Sequence, residues 1–285
     1  MLIDHDMHVH TLLSACSSDI KNIPENILKR AAEVGLKTIG FTDHMWDSSI
    51  KGASPWYVPQ DVNHVMQIKS MIPEDTYGVR FLIGCETEYC GDGKVGISKE
   101  AAEKFDFVLV PISHVHMKGF VLPLWVDNHK DIARIMVHRF KEVLELDIIN
   151  VVPTGIPHPF LPIGLQYIEC VDEIISYISD DEFFDCFGKA AEVGVGIELQ
   201  PGCFAGTYER KFEGFHDESF IRVFTLAKKA GCKFYFASDS HAVSQIGDVL
   251  KLERYIREIG IGKEDIFNAG GKISSVNANI DDRSS

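Results

Sequence analysis

The chain lacks the long apolar runs and the apolar leader that mark membrane and secreted proteins. No stretch approaches the roughly 18 apolar residues that a membrane span needs. The opening MLIDHDMHVHT brings charges and histidines before any apolar run. The seven cysteines are scattered and form no CxxC pair, which is typical of reduced thiols. These absences predict a cytoplasmic protein with no membrane partner.

Basic residues are also scarce. There are 28 Lys and Arg against 42 Asp and Glu, which gives a formal net charge of −14. Such a chain repels a phosphodiester backbone unless basic residues cluster into a groove, and we find no cluster of that kind. Nucleic acid is therefore an unlikely partner. Bound metal ions can still reverse the charge inside a site, so a small phosphorylated metabolite remains a suitable partner.

Several catalytic motifs are missing as well. The chain has no GxSxG elbow for a serine nucleophile, and residues 202–206 (GCFAG) resemble one only superficially. It has no GxxxxGK[ST] loop and no GxGxxG after the first strand pattern, so nucleotide-driven chemistry is unsupported. Cys203 could serve as a nucleophile, but a buried thiol without a catalytic role is the favoured interpretation.

The sequence does contain an alternation of short β-branched segments and helical patterns along almost its whole length. The predicted strands are Leu2–Met7, Thr38–Phe41, Phe81–Cys85, Phe107–Ile112, Ile148–Val152, Val195–Leu199 and Phe234–Ala237. Between them, a helix is predicted at Pro24–Val34, where Pro24 and Gly35 mark its ends. The alternation predicts one α/β domain over residues 1–276 with a mostly parallel sheet, followed by a polar tail at residues 277–285.

Histidines and carboxylates follow several of these strands. Pairs two residues apart occur at His8/His10, Glu86/Glu88, His114/His116 and Asp239/His241, and His44 follows another strand. Side chains two apart on a strand point the same way, and in a parallel barrel the carboxyl ends of the strands meet on one face. Imidazoles with carboxylates suit zinc, manganese or iron, and these donors exceed the needs of one ion. We therefore predict two or three divalent metal ions, although Glu88 and His116 could simply face solvent.

The order of these motifs resembles that of the polymerase and histidinol phosphatase (PHP) superfamily over almost the entire chain. The matching segments are His8-Val9-His10, Ser17-Ser18-Asp19, Thr42-Asp43-His44, Gly84-Cys85-Glu86, Ser113-His114, His158-Pro159 and Ser238-Asp239-Ser240-His241. The resemblance implies a distorted (β/α)7 TIM-like barrel of the PHP type with a trinuclear metal site.

The same resemblance implies a ligand set for three ions. The first ion would be held by His8, His10, Glu86 and Asp239, the second by Glu86 as a bridge with His114 and His158, and the third by Asp19, His44 and His241. Asp43 would orient a ligand from behind. Either His114 or His116 could be the ligand of the fourth motif, and the spacing from Asp106 favours His114.

The function implied is hydrolysis of small phosphomonoesters by a metal-activated hydroxide, as in histidinol phosphatases of histidine biosynthesis. The candidate catalytic residues are Glu86, Asp239 and His116, and the candidate substrate-binding residues are Lys118, Arg210, Lys211, Trp56 and Phe204. The alternatives are a phosphodiesterase or 3′-5′ exonuclease of the PHP type and a catalytically silent, metal-stabilised module. A homo-oligomer is one option that the sequence leaves open.

Overall fold

Seven parallel strands form one sheet in chain order in the computed structural model, which describes residues 2–269. The strands are β1 (His5–Val9), β2 (Thr38–Phe41), β3 (Arg80–Glu86), β4 (Phe107–Leu109), β5 (Thr154–Ile156), β6 (Gly196–Leu199) and β7 (Lys233–Phe236). A parallel bridge between Val9 and Ser240 brings the chain after β7 against β1, so the barrel is nearly closed. The predicted distorted (β/α)7 barrel is thereby confirmed. The predicted tail at residues 277–285 lies outside the described residues.

Helices cover the outside of the sheet. They are α1 (Pro24–Val34), α2 (Val62–Val65), α3 (Ile68–Met71), α4 (Lys99–Ala102), α5 (His129–Val143), α6 (Val171–Ser176), α7 (Asp180–Val193), α8 (Asp217–Lys229) and α9 (Glu253–Ile259). The helix α1 has the predicted bounds, because Pro24 fits the first turn and Gly35 ends the helix with φ of 86°. Its residues Ile27, Leu28 and Ala31 are buried.

The strand predicted at Ile148–Val152 is wrong. Residues Asp147–Asn150 form a 3-10 helix, and β5 begins only at Thr154. Ile148 and Val152 are buried, so their apolar character reflects packing of this turn rather than strand pairing. Pro153 separates the two elements, and its carbonyl accepts the first hydrogen bond from Val108 of β4.

The inside of the barrel is filled by large side chains that need glycine opposite them. Met7, Leu82, Phe107, Leu109 and Tyr235 form a cluster separate from the main core between the sheet and the helices. A Cβ at Gly40 or Gly84 would come within 3.0 Å of the Phe107 ring. These small residues therefore let the interior close without a clash.

The carboxyl ends of the strands carry the histidines and carboxylates that the sequence singled out. His8 lies in β1, Glu86 ends β3, and the others follow the strands in short connections. The barrel thus brings them to one face, as expected for this architecture. Among residues 2–269, the structure contains no helix with the length and apolarity needed to span a membrane.

Candidate metal centre

Glu86 lies in the middle of a cluster of histidine rings. Its Oε2 is 3.0 Å from His44 Nδ1, 3.4 Å from His8 Nε2 and 3.5 Å from His10 Nε2, and its Oε1 is 3.1 Å from His158 Nε2 and 3.7 Å from His114 Nε2. Asp239, after β7, places Oδ1 3.2 Å from His10 Nε2 and 3.5 Å from His8 Nε2. The His241 ring stacks on His10 at 4.3 Å between centroids. Residues from distant parts of the chain therefore share one centre.

Partners behind the rings fix which nitrogen faces this centre. His8 Nδ1 donates to Glu198 Oε2 at 2.8 Å, and His114 Nδ1 donates to Glu88 Oε2 at 2.7 Å. Each of these hydrogen bonds engages Nδ1 and leaves Nε2 facing Glu86. The two carboxylates are fully buried, so they have no solvent to compete for the same proton.

Three further histidine rings have uncharged hydrogen-bond partners at Nδ1. The Nδ1 atoms of His10, His158 and His241 approach Ser14 Oγ (3.0 Å), Ser113 Oγ (2.6 Å) and the Asp239 carbonyl (2.9 Å), respectively. Ser14 Oγ donates to Asp43, so the serine must accept the His10 proton. Asp43 is therefore linked to His10 through Ser14, and the orienting role that the resemblance implied for Asp43 stays a prediction. In all, five rings have Nδ1 engaged from behind.

The donor set fits metal ions. The Nε2 atoms of His8 and His10 are only 3.1 Å apart. Two unprotonated nitrogens at that distance would repel each other unless a cation or a proton lay between them. His44 Nδ1 is also buried. It lies close to Glu86 Oε2, but the two atoms do not form a hydrogen bond, so this nitrogen has no hydrogen-bond partner. Imidazole rings held from behind by carboxylates or hydroxyls, with carboxylates in front, are the usual surroundings of protein-bound zinc and related ions.

The electrostatics of the centre keep its carboxylates ionised. Burial alone would raise the pKa of Glu86, but His44, His8 and His114 hold that pKa well below its ordinary value. Burial would likewise raise the pKa of Asp239, and His8 and His10 lower it instead. The two carboxylates therefore offer negative charge to cations at neutral pH.

Two of the residues at the centre have unusual backbone conformations. His158 has φ of 33° and Asp239 has φ of 55°, both in the left-handed region that side chains other than glycine rarely adopt. Such conformations cost of order 1–3 kcal/mol each and concentrate at functional sites. Here the conformation belongs to a histidine that faces Glu86 and a carboxylate that faces His10.

Residues 6–201 match the family model described as the PHP domain. This chain belongs to the PHP domain family. The resemblance that the motifs indicated is therefore confirmed, and the matched segment covers more than half of the chain.

Two relatives are similar to this chain along most of their length. A protein of Clostridium acetobutylicum described as a "probable phosphatase" is 24% identical over 269 residues, which cover 94% of this chain and 91% of that protein. A protein of Aliivibrio fischeri with the same description is 26% identical, covering 91% and 86%. Among solved structures, the histidinol phosphate phosphatase of Lactococcus lactis, complexed with zinc, L-histidinol and phosphate, is 18% identical. It has a TM-score of 0.59 and covers 91% of this chain and 95% of its own, which shows the shared fold.

The structure brings together all but one of the predicted ligands of this PHP chain. Those at the centre are His8, His10, His44, Glu86, His114, His158, Asp239 and His241. Asp19 lies elsewhere: it is exposed, its side chain accepts a hydrogen bond from the Lys21 amide, and no potential ligand group within residues 2–269 includes it. Asp19 is thus corrected to a turn-stabilising residue. That the others bind metal stays a prediction.

Only part of the predicted substrate-binding set lines the cavity in front of the centre. Trp56 and Lys118 do so, and the candidate catalytic residue His116 also lines this cavity. Phe204 does not, because it is fully buried and stacks on Tyr255 at 3.7 Å between centroids. The assignment of Phe204 to the substrate pocket is therefore wrong.

The two other cations proposed for phosphate also lie away from the cavity. Arg210 pairs with Glu169 at 3.2 Å, and its guanidinium lies over the Phe212 ring. Lys211 is exposed beside it and is not among the residues that line the cavity. Both are corrected to surface charges. Lys118 is the only lysine or arginine at the wall of this cavity among the described residues.

Three residues that the structure places at the centre had no place in the predicted ligand set. Glu88 is buried rather than solvent-facing and accepts hydrogen bonds from His114 and, at 3.1 Å, from Tyr57 Oη. Glu198 supports His8 and also accepts from the His158 amide at 2.9 Å. Cys16 lies with His10, His44 and His241. The period of two after β3 was a signal for Glu88; no regular spacing pointed to Cys16.

The support that Glu198 gives to His8 leads to a testable prediction. Glu198→Gln keeps the size of the side chain but removes its charge and presents an amide to His8 Nδ1. We expect the affinity for zinc to fall by about 10- to 100-fold, because partners behind a metal-ligating histidine typically contribute that much. Competition with a chromophoric chelator measures this. The exposed Glu192→Gln on α7 is the control, and wild-type affinity in Glu198→Gln would contradict the assigned role.

Proposed function

We propose that this chain hydrolyses small phosphomonoesters with two or three bound divalent ions, zinc, iron or manganese. The observation that carries the proposal is a set of four imidazoles, those of His8, His10, His114 and His158, whose Nδ1 atoms are engaged from behind and whose Nε2 atoms lie within 3.7 Å of a Glu86 oxygen. When bound, such ions would supply Lewis-acid activation of water and neutralise charge on phosphoryl oxygens. The proposal agrees with the description of both relatives as probable phosphatases.

The cavity in front of the centre supports a small substrate. Its volume is about 530 Å³, within the range of small-molecule sites. Trp56, Tyr57 and Phe120 form an aromatic wall, and Glu86 and Asp239 lie at its floor. The phosphoryl group would lie at the floor and the leaving group against the wall. A cavity with one lysine and no basic groove gives a long phosphodiester little to bind.

Two residues at the cavity wall would act on the substrate directly. Lys118 can approach a phosphoryl oxygen as a point charge. His116 is placed to exchange a proton with the leaving-group oxygen, although partial burial and the neighbouring His114 lower its pKa to about 4. A neutral imidazole at pH 7 would serve as an acceptor or as a hydrogen-bond donor to that oxygen.

Histidinol phosphate is one candidate substrate. The Lactococcus lactis protein of this fold was solved with L-histidinol and phosphate. An imidazole ring is compatible with the aromatic wall, where His44 already meets the edge of Trp56 at 5.0 Å. A panel of phosphorylated metabolites would identify the preferred leaving group.

The preference for monoesters is the direct test of this proposal. We expect kcat/KM for p-nitrophenyl phosphate to exceed that for bis-p-nitrophenyl phosphate by at least about 10-fold, because a monoester dianion places more charge against the cations. Steady-state kinetics on the reconstituted protein measures the ratio. Faster cleavage of the diester, or of single-stranded DNA, would instead favour the phosphodiesterase or exonuclease alternative.

Trp56 is expected to select among leaving groups. It is 37% exposed at the cavity wall, so Trp56→Ala removes contact area without opening the core. We expect the ratio of kcat/KM between an aromatic and a small aliphatic monoester to change by about 10-fold, the usual contribution of such a pocket contact. Trp125→Ala, an exposed tryptophan away from this wall, is the matched control. An unchanged ratio in Trp56→Ala would remove Trp56 from the leaving-group site.

A further inference from the structure

Cys16 occupies a position at the centre that no predicted ligand fills. A donor atom of each of His10, Cys16, His44 and His241 lies within 4.8 Å of those of the other three. The thiol is also at the wall of the cavity, beside Glu86 and Asp239. Four donors at this separation are close enough to share one ion.

The loop that carries Cys16 is anchored on both sides of it. Before it, Ser14 bonds to Asp43, and the Ala15 amide donates to Gln60 Oε1 at 2.8 Å. After it, Ser17 Oγ donates to the His241 carbonyl at 3.0 Å. Asn22 Nδ2 ties the same loop to the carbonyls of His10 and His241 at 2.9 and 3.1 Å. The backbone of the thiol and that of two of its neighbouring histidines are therefore fixed relative to one another.

We propose that Cys16 is a thiolate ligand of the ion held by His44 and His241, in the place that the sequence assigned to Asp19. This inference rests on the metal centre of the proposed function. Binding forms a bond from Sγ to the ion, and the thiol proton leaves to solvent. Thiolate is a softer ligand than carboxylate, so this position favours zinc, iron(II) or cobalt over manganese.

Cobalt substitution tests the assignment by spectroscopy, without recourse to activity. A thiolate bound to Co²⁺ gives an intense charge-transfer absorption in the near ultraviolet, which nitrogen and oxygen ligands do not give. We expect this absorption in the reconstituted wild type, its loss in Cys16→Ser and its retention in Cys170→Ser. Cys170 is the informative control because it lies with His129 and Glu173 in a surface group that could bind an ion itself.

The outcomes separate this inference from the proposed function. If elemental analysis finds bound cobalt but the absorption is missing from the wild type, or persists in Cys16→Ser, the role of Cys16 is overturned and the metal centre stands. If the wild type binds no ion at all, both are overturned. Loss of the absorption in Cys170→Ser alone would place the thiolate on the surface and overturn the role of Cys16.

A second measurement uses the wild-type protein, so its result does not depend on whether a variant folds. Cys16 is the exposed cysteine of the described chain, whereas Cys85, Cys186, Cys203 and Cys232 are buried. Peptide mass spectrometry after a short iodoacetamide pulse should show Cys16 alkylated at least about 10-fold more slowly in the zinc-loaded than in the metal-free protein, because a coordinated thiolate is blocked. Equal rates with zinc bound would overturn the assignment.

Discussion

Glu86→Gln is expected to lower kcat/KM for a phosphomonoester by at least about 100-fold, the loss typical when a central electrostatic group is removed. Glu86 contacts five histidine rings at 3.0 to 3.7 Å, more than any other carboxylate at the centre. The substitution keeps the shape of the side chain and removes its charge. The glutamine amide would also direct an N–H group at the histidine nitrogens. Because Glu86 is expected to bind two of the ions, the substitution would disturb the positions of both.

The measurement is steady-state kinetics on protein reconstituted with the same metal. Glu103→Gln, an exposed glutamate just after α4, controls for a general effect of losing a carboxylate and should remain within about twofold of wild type, as expected for surface substitutions. A thermal unfolding curve of each variant separates misfolding from loss of function. Activity of Glu86→Gln within threefold of wild type would remove Glu86 from the catalytic centre.

Removal of the metal ions is expected to have a still larger effect. Dialysis against a chelator should reduce phosphomonoesterase activity by at least about 1000-fold, because the nucleophile that we propose is a metal-activated water and not a side chain. Cys203 is not a suitable nucleophile either, because it is buried and burial raises its pKa well above the ordinary value. Addition of zinc, manganese or iron should restore the activity.

The number of ions can be tested in the same samples. Elemental analysis should find two or three ions per chain in the reconstituted wild type, since the donors at the centre can saturate that many sites. His44→Ala should lose about one of them while the remaining ions stay bound. A wild type that binds less than one ion per chain would contradict a multinuclear centre, and full activity in the chelated protein would contradict a metal-dependent reaction.

The residues that regular strands position could be predicted from the sequence. Spacing of two on β1 and after β3 put His8 with His10 and Glu86 with Glu88 on one face, and the parallel barrel brought them together. The carboxylates that accept hydrogen bonds from the ring Nδ1 atoms were harder to predict from the sequence. Glu198 and Glu88 look like ordinary strand-end carboxylates until the distances of 2.8 and 2.7 Å to His8 and His114 are known.

Residues in loops could not be placed from spacing, because irregular backbone has no period. Asp19 and Cys16 lie three residues apart in one loop, and only the anchoring of that loop to Gln60 and His241 shows which of them faces the centre. The long connection at residues 202–216 misled the sequence interpretation in the same way. Its aromatic residue Phe204 packs into the core against Tyr255, and its cation Arg210 pairs with Glu169 on the surface.

Anomalous X-ray diffraction from crystals of zinc-loaded protein soaked in inorganic phosphate tests whether the histidine cluster around Glu86 holds the catalytic metal ions. We expect two or three anomalous peaks within about 2.0–2.3 Å of histidine nitrogen or Cys16 sulfur atoms, the distances of zinc to such ligands. One of the peaks should contact both Glu86 and Asp239, with phosphate density on the cavity side near Lys118. Peaks confined to surface groups such as His129, Cys170 and Glu173, or no peak beside Glu86, would contradict a metal centre at Glu86.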